Sequence, residues 1–230
     1  MIQPSAPLRI AVLGGGHGAY AAAADLAEQG HEVRLWRRDA AAFAPVRESG
    51  SIRLTDSKGT RSIRLAPASA EIGAALRGAE LVLVPSPATA QADIARAMAA
   101  HLESGQVVFC PPGTFGSYAM AAITRAGGAP AELSFAETGT LPYLARKHAP
   151  DEIAITMRAK HLPVGVFPAH RTDEASRRSS EQVLHVKTSP KSRDPFYDAN
   201  FAHPAKDLKA NTHGASSHVY PPQITHPISR

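Results

Sequence analysis

Apolar residues along this chain fall into short unbroken runs separated by glycine- and proline-rich turns and alanine-rich stretches. The first run, Ile10 to Leu13, has the length and continuity of a strand buried on both faces. It meets Gly14-Gly15-Gly16-His17-Gly18-Ala19. A helix rich in alanine follows to about Gln29, and Gly30-His31 turns the chain into a second strand over Glu32 to Arg37. The same alternation returns downstream. Glu80 to Val84 is a strand halted by Pro85-Ser86-Pro87, and a helix spans about Ala88 to Leu102. Gln106 to Cys110 and Glu132 to Ala136 are further strands, with a helix over Tyr118 to Ala126 between them. Asp151 to Met157 is the last clear strand. Short helices are expected over Ala40 to Ser49 and Ala68 to Leu76. Ser51 to Leu54 and Ser62 to Leu65 alternate polar and apolar around Asp56-Ser57-Lys58-Gly59, which predicts a hairpin. Strand and helix in repeated alternation predict an α/β fold whose mostly parallel, doubly wound sheet is covered on both faces. The hairpin breaks that alternation, so it is expected at the sheet's edge.

The first forty residues carry the chemistry. Strand, glycine turn, helix and second strand make the sequence form of a Rossmann-type dinucleotide-binding unit. Gly14 permits the tight turn, Gly16 lets the backbone approach a pyrophosphate, and Ala19 is small enough for close packing of helix on strand. Gly15, His17 and Gly18 complete the turn, whose helix N-terminus offers free N–H groups to phosphate. The residue at the end of the second strand separates NAD from NADP. An acid there would bond a ribose hydroxyl. Arg37 stands in that place and Arg38 follows, so NADP is expected as cofactor, with NAD possible if the arginines are merely solvated. The bland alternative is that the arginines are solvated and Asp39 caps the next helix. Pro85 and Gly113 lie in loops at the carboxyl ends of later strands, the edge where such sheets bind ligands, and are assigned to the cofactor. Gly113 and Gly116 could equally form an ordinary turn.

Composition narrows the classes. Cys110 is the only cysteine, which excludes internal disulfides and zinc sites built on several cysteines. No apolar stretch is long enough to cross a bilayer, and the first residues lack a signal peptide's apolar core, so the expected compartment is the cytoplasm. The net charge of +5 is spread without an aromatic-interleaved basic stripe, which argues against nucleic acid as a partner. Self-association as a homodimer is left open.

The glycine turn with its helix, the hairpin, the Pro111-Pro112-Gly113 turn and above all Glu137-Thr138-Gly139-Thr140-Leu141-Pro142-Tyr143 resemble the N-terminal domain of the opine dehydrogenases, of octopine and nopaline type. A more remote resemblance extends to the glycerol-3-phosphate dehydrogenases and ketopantoate reductases. The likeness covers roughly residues 8 to 175. It implies an NAD(P)-dependent oxidoreductase that reductively condenses an amino acid with a 2-oxo acid. It also implies a second, helical domain carrying the catalytic histidine, with Glu137 and Tyr143 facing the cleft between domains. Glu137 would hold the cationic end of an amino acid; otherwise it caps its own turn. Tyr143 fits a core or domain-contact aromatic better than direct chemistry. Residues 8 to 160 offer no candidate proton donor: His17 belongs to the turn, and His101, His148 and His161 fall at element ends.

The resemblance fades beyond about Ala175, which divides the chain into a cofactor domain over 1–175 and a tail over 176–230. The tail is thin in apolar residues, interrupted by prolines, and holds five of the eleven histidines, namely His185, His203, His213, His218 and His226. It is expected to be poorly structured. Its histidines lack a compact ligand spacing, so no metal site is expected. The abrupt change in composition favours a truncated or frameshifted gene over a peripheral extension.

Overall fold

The computed structural model describes residues 6–67, 69–159, 162–176 and 178. The tail beyond Arg178, and with it every expectation placed there, lies outside the described residues, as does His161. The elements run β1 (Arg9–Leu13), α1 (His17–Glu28), β2 (Glu32–Trp36), α2 (Ala40–Ser49), β3 (Ser51–Asp56), β4 (Gly59–Arg64), α3 (Ile72–Leu76) and β5 (Leu81–Leu83). They continue α4 (Ala88–Ala99), β6 (Val107–Cys110), α5 (Gly116–Ala126), β7 (Ser134–Thr138), β8 (Tyr143–Ala149), β9 (Glu152–Arg158), β10 (Val164–Phe167) and α6 (Thr172–Ser176).

Two sheets result. The main one has the order β10-β7-β6-β5-β1-β2 and is parallel except for β10, which runs antiparallel to β7. Side chains of β1 alternate between its faces. Ile10 and Val12 enter the core shared with α1, whereas Ala11 and Leu13 enter the core shared with α3, α4 and α5. The parallel sheet covered on both faces is therefore the Rossmann-type arrangement expected. Among the described residues no helix is long and apolar enough to cross a membrane.

The hairpin is not at the edge of that sheet. β3 and β4 join β9 and β8 in a separate four-stranded sheet of order β4-β3-β9-β8. The reason lies in α1, in which every residue from Ala19 to Leu26 is buried. A helix without a solvent face needs cover on both sides. The main sheet supplies one side, and Ile52, Leu54, Ile153 and Ile155 of the second sheet share the core on the other. β8 and β10 were not foreseen. β8 begins in the Leu141–Arg146 segment, runs on to Ala149 and alternates buried or half-buried with exposed positions; β10 is only four residues long.

A charged network fastens the second sheet to α1. Arg158 donates to Asp25 Oδ1 at 2.6 Å and to Asp56 Oδ2 at 2.8 Å, and the Tyr143 hydroxyl donates to Asp25 Oδ2 at 3.1 Å. Arg61 bridges Asp56, at 2.8 Å, and Glu28. The Asp56 side chain is 1% exposed. Hydrogen bonds from Arg61 hold both the Asp56 and the Glu28 carboxyls below the ordinary range. Carboxyls depressed in the folded state stabilise it above their unfolded pKa, and that stability is lost as pH falls through the folded values. The urea midpoint should therefore fall as pH drops below about 4. Arg158→Met should cost about 3 kcal/mol at neutral pH, because it strands Asp25 and Asp56 without their shared partner. Urea unfolding of both proteins across that range checks this; a midpoint insensitive to pH and to the substitution would contradict it.

Candidate functional site

At the carboxyl end of β1 the chain turns through Gly14 at φ +143°, and its N–H donates to the Trp36 carbonyl at 2.9 Å. Only glycine sits comfortably there. A Cβ on Gly14 would also come within 3.3 Å of the Ala19 side chain, which is wholly buried, so the close approach of α1 to β1 is real. Gly16 differs: it precedes the first residue of α1 with ordinary φ, and a Cβ there would meet nothing within 4 Å. The free N–H groups of the helix begin beside this open space. A Cβ on Gly18 would touch Pro85 at 3.3 Å, so the turn is packed against the loop after β5.

A cleft of about 260 Å³ opens at this edge. Gly14, Gly15 and Gly16 form one wall, Trp36 to Asp39 another, and Pro85, Ser86 and Pro87 a third. Ala90, Asp93, Ile94 and Ala97, one face of α4, complete it. The Arg37 side chain lies across Gly15, where its Nε would be 2.6 Å from a Cβ, and donates to the Ala42 carbonyl at 3.2 Å. Arg38 reaches Asp93 at 3.6 Å and remains largely exposed. Asp39 accepts from Ala42 N at 3.0 Å and so caps α2.

The structure thus gathers Gly14, Gly15, Gly16, Arg37, Arg38 and Pro85 in one cleft. Ala19 packs beneath the turn. His17 is not among the cleft-lining residues and accepts the Lys147 N–H at 2.9 Å, which ties β8 to the start of α1. Missed from the sequence were Ser86, Pro87, Asp93 and the α4 face. Their signal was present: the Pro-Ser-Pro loop ends a buried strand, and Ala90, Ile94 and Ala97 recur at helical spacing.

Three other assignments land elsewhere. Gly113 is buried outside the cleft lining, and a Cβ on it would collide with the Glu137 side chain. Glu137 is 4% exposed, and its two oxygens accept the N–H groups of Phe115 at 3.0 Å and Ser117 at 2.9 Å. It caps α5 and holds the 111–117 loop rather than presenting a carboxylate to a cleft. That grip matters because Thr114 and Phe115 have left-handed φ of +54° and +64°, conformations that cost energy in non-glycine residues. Gln91 helps by donating to Ser86 O and Pro112 O, both at 3.3 Å. Tyr143 is a core residue, with its hydroxyl spent on Asp25; burial and that neighbouring carboxylate push its pKa well up. Burial, with Glu137 nearby, likewise pushes the Cys110 thiol up to about 12.

A glycine turn opening a helix at the carboxyl edge of a parallel sheet, with a cleft beside it, defines a dinucleotide-binding fold of the Rossmann type. Within that class the chain belongs to the ketopantoate reductase PanE/ApbA family, whose profile matches residues 10–126. It is also 29% identical over 186 residues to the opine dehydrogenase of Arthrobacter sp. (strain 1C), covering 76% of this chain and 52% of that protein. Among solved structures it resembles octopine dehydrogenase with NADH and L-arginine (TM-score 0.64, 17% identity, 79% of this chain and 48% of that one). It also resembles yersinopine dehydrogenase with NADP+ bound (TM-score 0.63, 13% identity, 81% and 48%). The chain spans about half the length of these relatives.

The open space at Gly16 fits a dinucleotide pyrophosphate. Gly16→Ala should change stability by less than about 1 kcal/mol yet weaken NADPH and NADH alike by about tenfold or more, equivalent to about 1.4 kcal/mol. Fluorescence titration beside urea unfolding distinguishes this cradle from a merely structural turn. Unchanged binding in a folded variant would remove Gly16 from the site.

Proposed function

We propose that this chain is the cofactor-binding part of an oxidoreductase of the opine dehydrogenase type, joining an amino acid to a 2-oxo acid by reductive condensation, with NADP preferred to NAD. The carrying observation is the cleft at the carboxyl edge of the sheet, bounded by Gly14 to Gly16 and floored by Arg37 and Arg38. Gly16 and the N-terminus of α1 would hold the pyrophosphate; Arg37 and Arg38 would receive a phosphate on the adenosine ribose. A nicotinamide supplies hydride when bound, and the chain's own task is to orient it and keep its phosphates neutralised. The likeness to the Arthrobacter opine dehydrogenase, longer than any stretch shared with the family profile, favours this substrate class. A ketopantoate- or glycerol-3-phosphate-type reductase is the neighbouring alternative.

The ionisable residues lining the cleft are Arg37, Arg38, Asp39 and Asp93. Among the described residues no histidine, lysine, tyrosine or cysteine lines it, the side chains that most often serve as the proton donor such a reaction needs. A reading as a nucleotide-binding protein without turnover therefore has an observation of its own. Two measurements test these readings. Arg37→Asp should weaken NADPH binding by about ten- to a hundredfold, the worth of one charge-assisted hydrogen bond, and leave NADH less affected or improved. Equal loss of both nucleotides would make the arginine structural. The 230-residue chain should bind NADPH but oxidise it slowly or not at all with mixtures of 2-oxo acids and amino acids. Brisk turnover would place the missing proton donor within this chain.

A further inference from the structure

A second cation stands beside the glycine turn, and it comes from the other sheet. Burial along β8 places Tyr143, Ala145 and Lys147 toward α1, and Leu144, Arg146 and His148 toward solvent. The Lys147 backbone is pinned by its bond to His17, the first residue of α1. Its Nζ lies 3.2 Å from the centroid of the Tyr20 ring and donates to the Pro150 carbonyl at 3.3 Å. Tyr20 is wholly buried, and its hydroxyl has no well-formed hydrogen bond among the described residues.

Arg37 enters the same neighbourhood from the end of β2. Its guanidinium draws the Tyr20 phenol down against the burial that raises it. It also acts on Lys147, which burial first and Arg37 second lower to about 8. The acids nearby are two. Asp151, in the turn after β8, opposes both effects, and Asp39 stands 3.7 Å from Arg37 with its other oxygen committed to capping α2. Arg37 lies across Gly15 and Lys147 is tied to the first residue of α1, outside the cleft lining, so two cations and a buried hydroxyl flank the start of that helix.

We propose that Lys147 is a binding residue of the cofactor site, which joins Arg37 in holding a phosphate on the adenosine ribose and so contributes to the choice of NADP over NAD. This rests on the cofactor reading above. Lysine suits the role: its ammonium rests on a ring face, a weak hold that a phosphate can outcompete, and it sits on a flexible stem. A dianionic phosphate between two cations relieves their repulsion and returns the lysine to its charged form. Because the lysine loses its proton near pH 8 in the free protein, selectivity for NADP should decline as pH rises through that region.

The test is titration of the full chain with NADPH and NADH at about pH 7 and about pH 9, on either side of the lysine's titration. Wild type should favour NADPH at the lower pH and lose about five- to tenfold of that ratio at the higher. Lys147→Met should lower the ratio about tenfold at the lower pH and abolish its pH dependence, with NADH affinity held within about twofold. Lys147→Arg, charged at both pH values, should keep the ratio at both. A ratio unchanged in folded Lys147→Met overturns the inference while leaving the cofactor reading intact. If that variant does not fold, a wild-type ratio indifferent to pH overturns it. Failure of wild type to bind either nucleotide overturns the cofactor reading, and this inference with it.

Discussion

Helix α1 has no solvent face along most of its length, with all positions from Ala19 to Leu26 buried. Its alanines let β1 come close, and the contact between Gly14 and Ala19 sets where the helix begins. The position of the glycine turn is therefore a packing result before any binding role it is proposed to have. The same constraint calls the second sheet into existence. A helix that buries one stripe needs one partner layer, whereas this helix needs two. β3, β4, β8 and β9 supply the second.

The two layers are joined differently. On the main-sheet side the contact is apolar and tight. On the other, Asp25 and Glu28 of α1 meet Arg158 and Arg61 of the second sheet, with Asp56 bridging the two arginines. Such a network tolerates little rearrangement, because removing one partner leaves a buried charge uncompensated. It therefore fixes the orientation of the second sheet relative to α1, which carries Lys147 to the start of the helix. The loops at the carboxyl edge are held with comparable firmness. Glu137 grips the 111–117 loop, and Gln91 ties it to the Pro-Ser-Pro loop, so the two loops are fastened to each other.

Much of this was legible in the sequence because it is local. The glycine spacing and the continuous apolar strands each declare themselves within a few residues, and the arginine pair its place after β2 beside the glycine turn. What was not legible depends on partners far apart in the chain. A hairpin looks the same at the edge of one sheet or at the centre of another; its pairing with β9 involves residues about a hundred positions away. Glu137 illustrates the same limit. Its motif implied a cleft, but its two oxygens are drawn to the unsatisfied N–H groups at the start of α5, which only the packed sheet brings alongside. Tyr143 was assigned to the cleft with a core aromatic as the alternative, and it is the alternative that the long-range contact of its hydroxyl with Asp25 realises.

The arginines of this chain show how burial divides one residue type between two tasks. Arg158 and Arg61 meet side chains of Asp25 and Asp56 that are at most 8% exposed, at distances of 2.6 to 2.8 Å. These arginines are structural because leaving would strand charge. Arg37 and Arg38 have carboxylate partners too, but at 3.7 and 3.6 Å, and with Asp39 and Asp93 more than half exposed. Exposed pairs of that kind contribute about 0–1 kcal/mol. An arriving phosphate competes with them on favourable terms, since its charge-assisted hydrogen bonds are worth about 1.5–3 kcal/mol each. The acids beside the cleft therefore keep the arginines oriented without committing them. A site with the arginines alone would repel itself, and one with buried acids would refuse the anion. The proposed phosphate role therefore asks only that Arg37 and Arg38 give up distant, exposed acids, whereas Arg158 and Arg61 would have to leave buried ones.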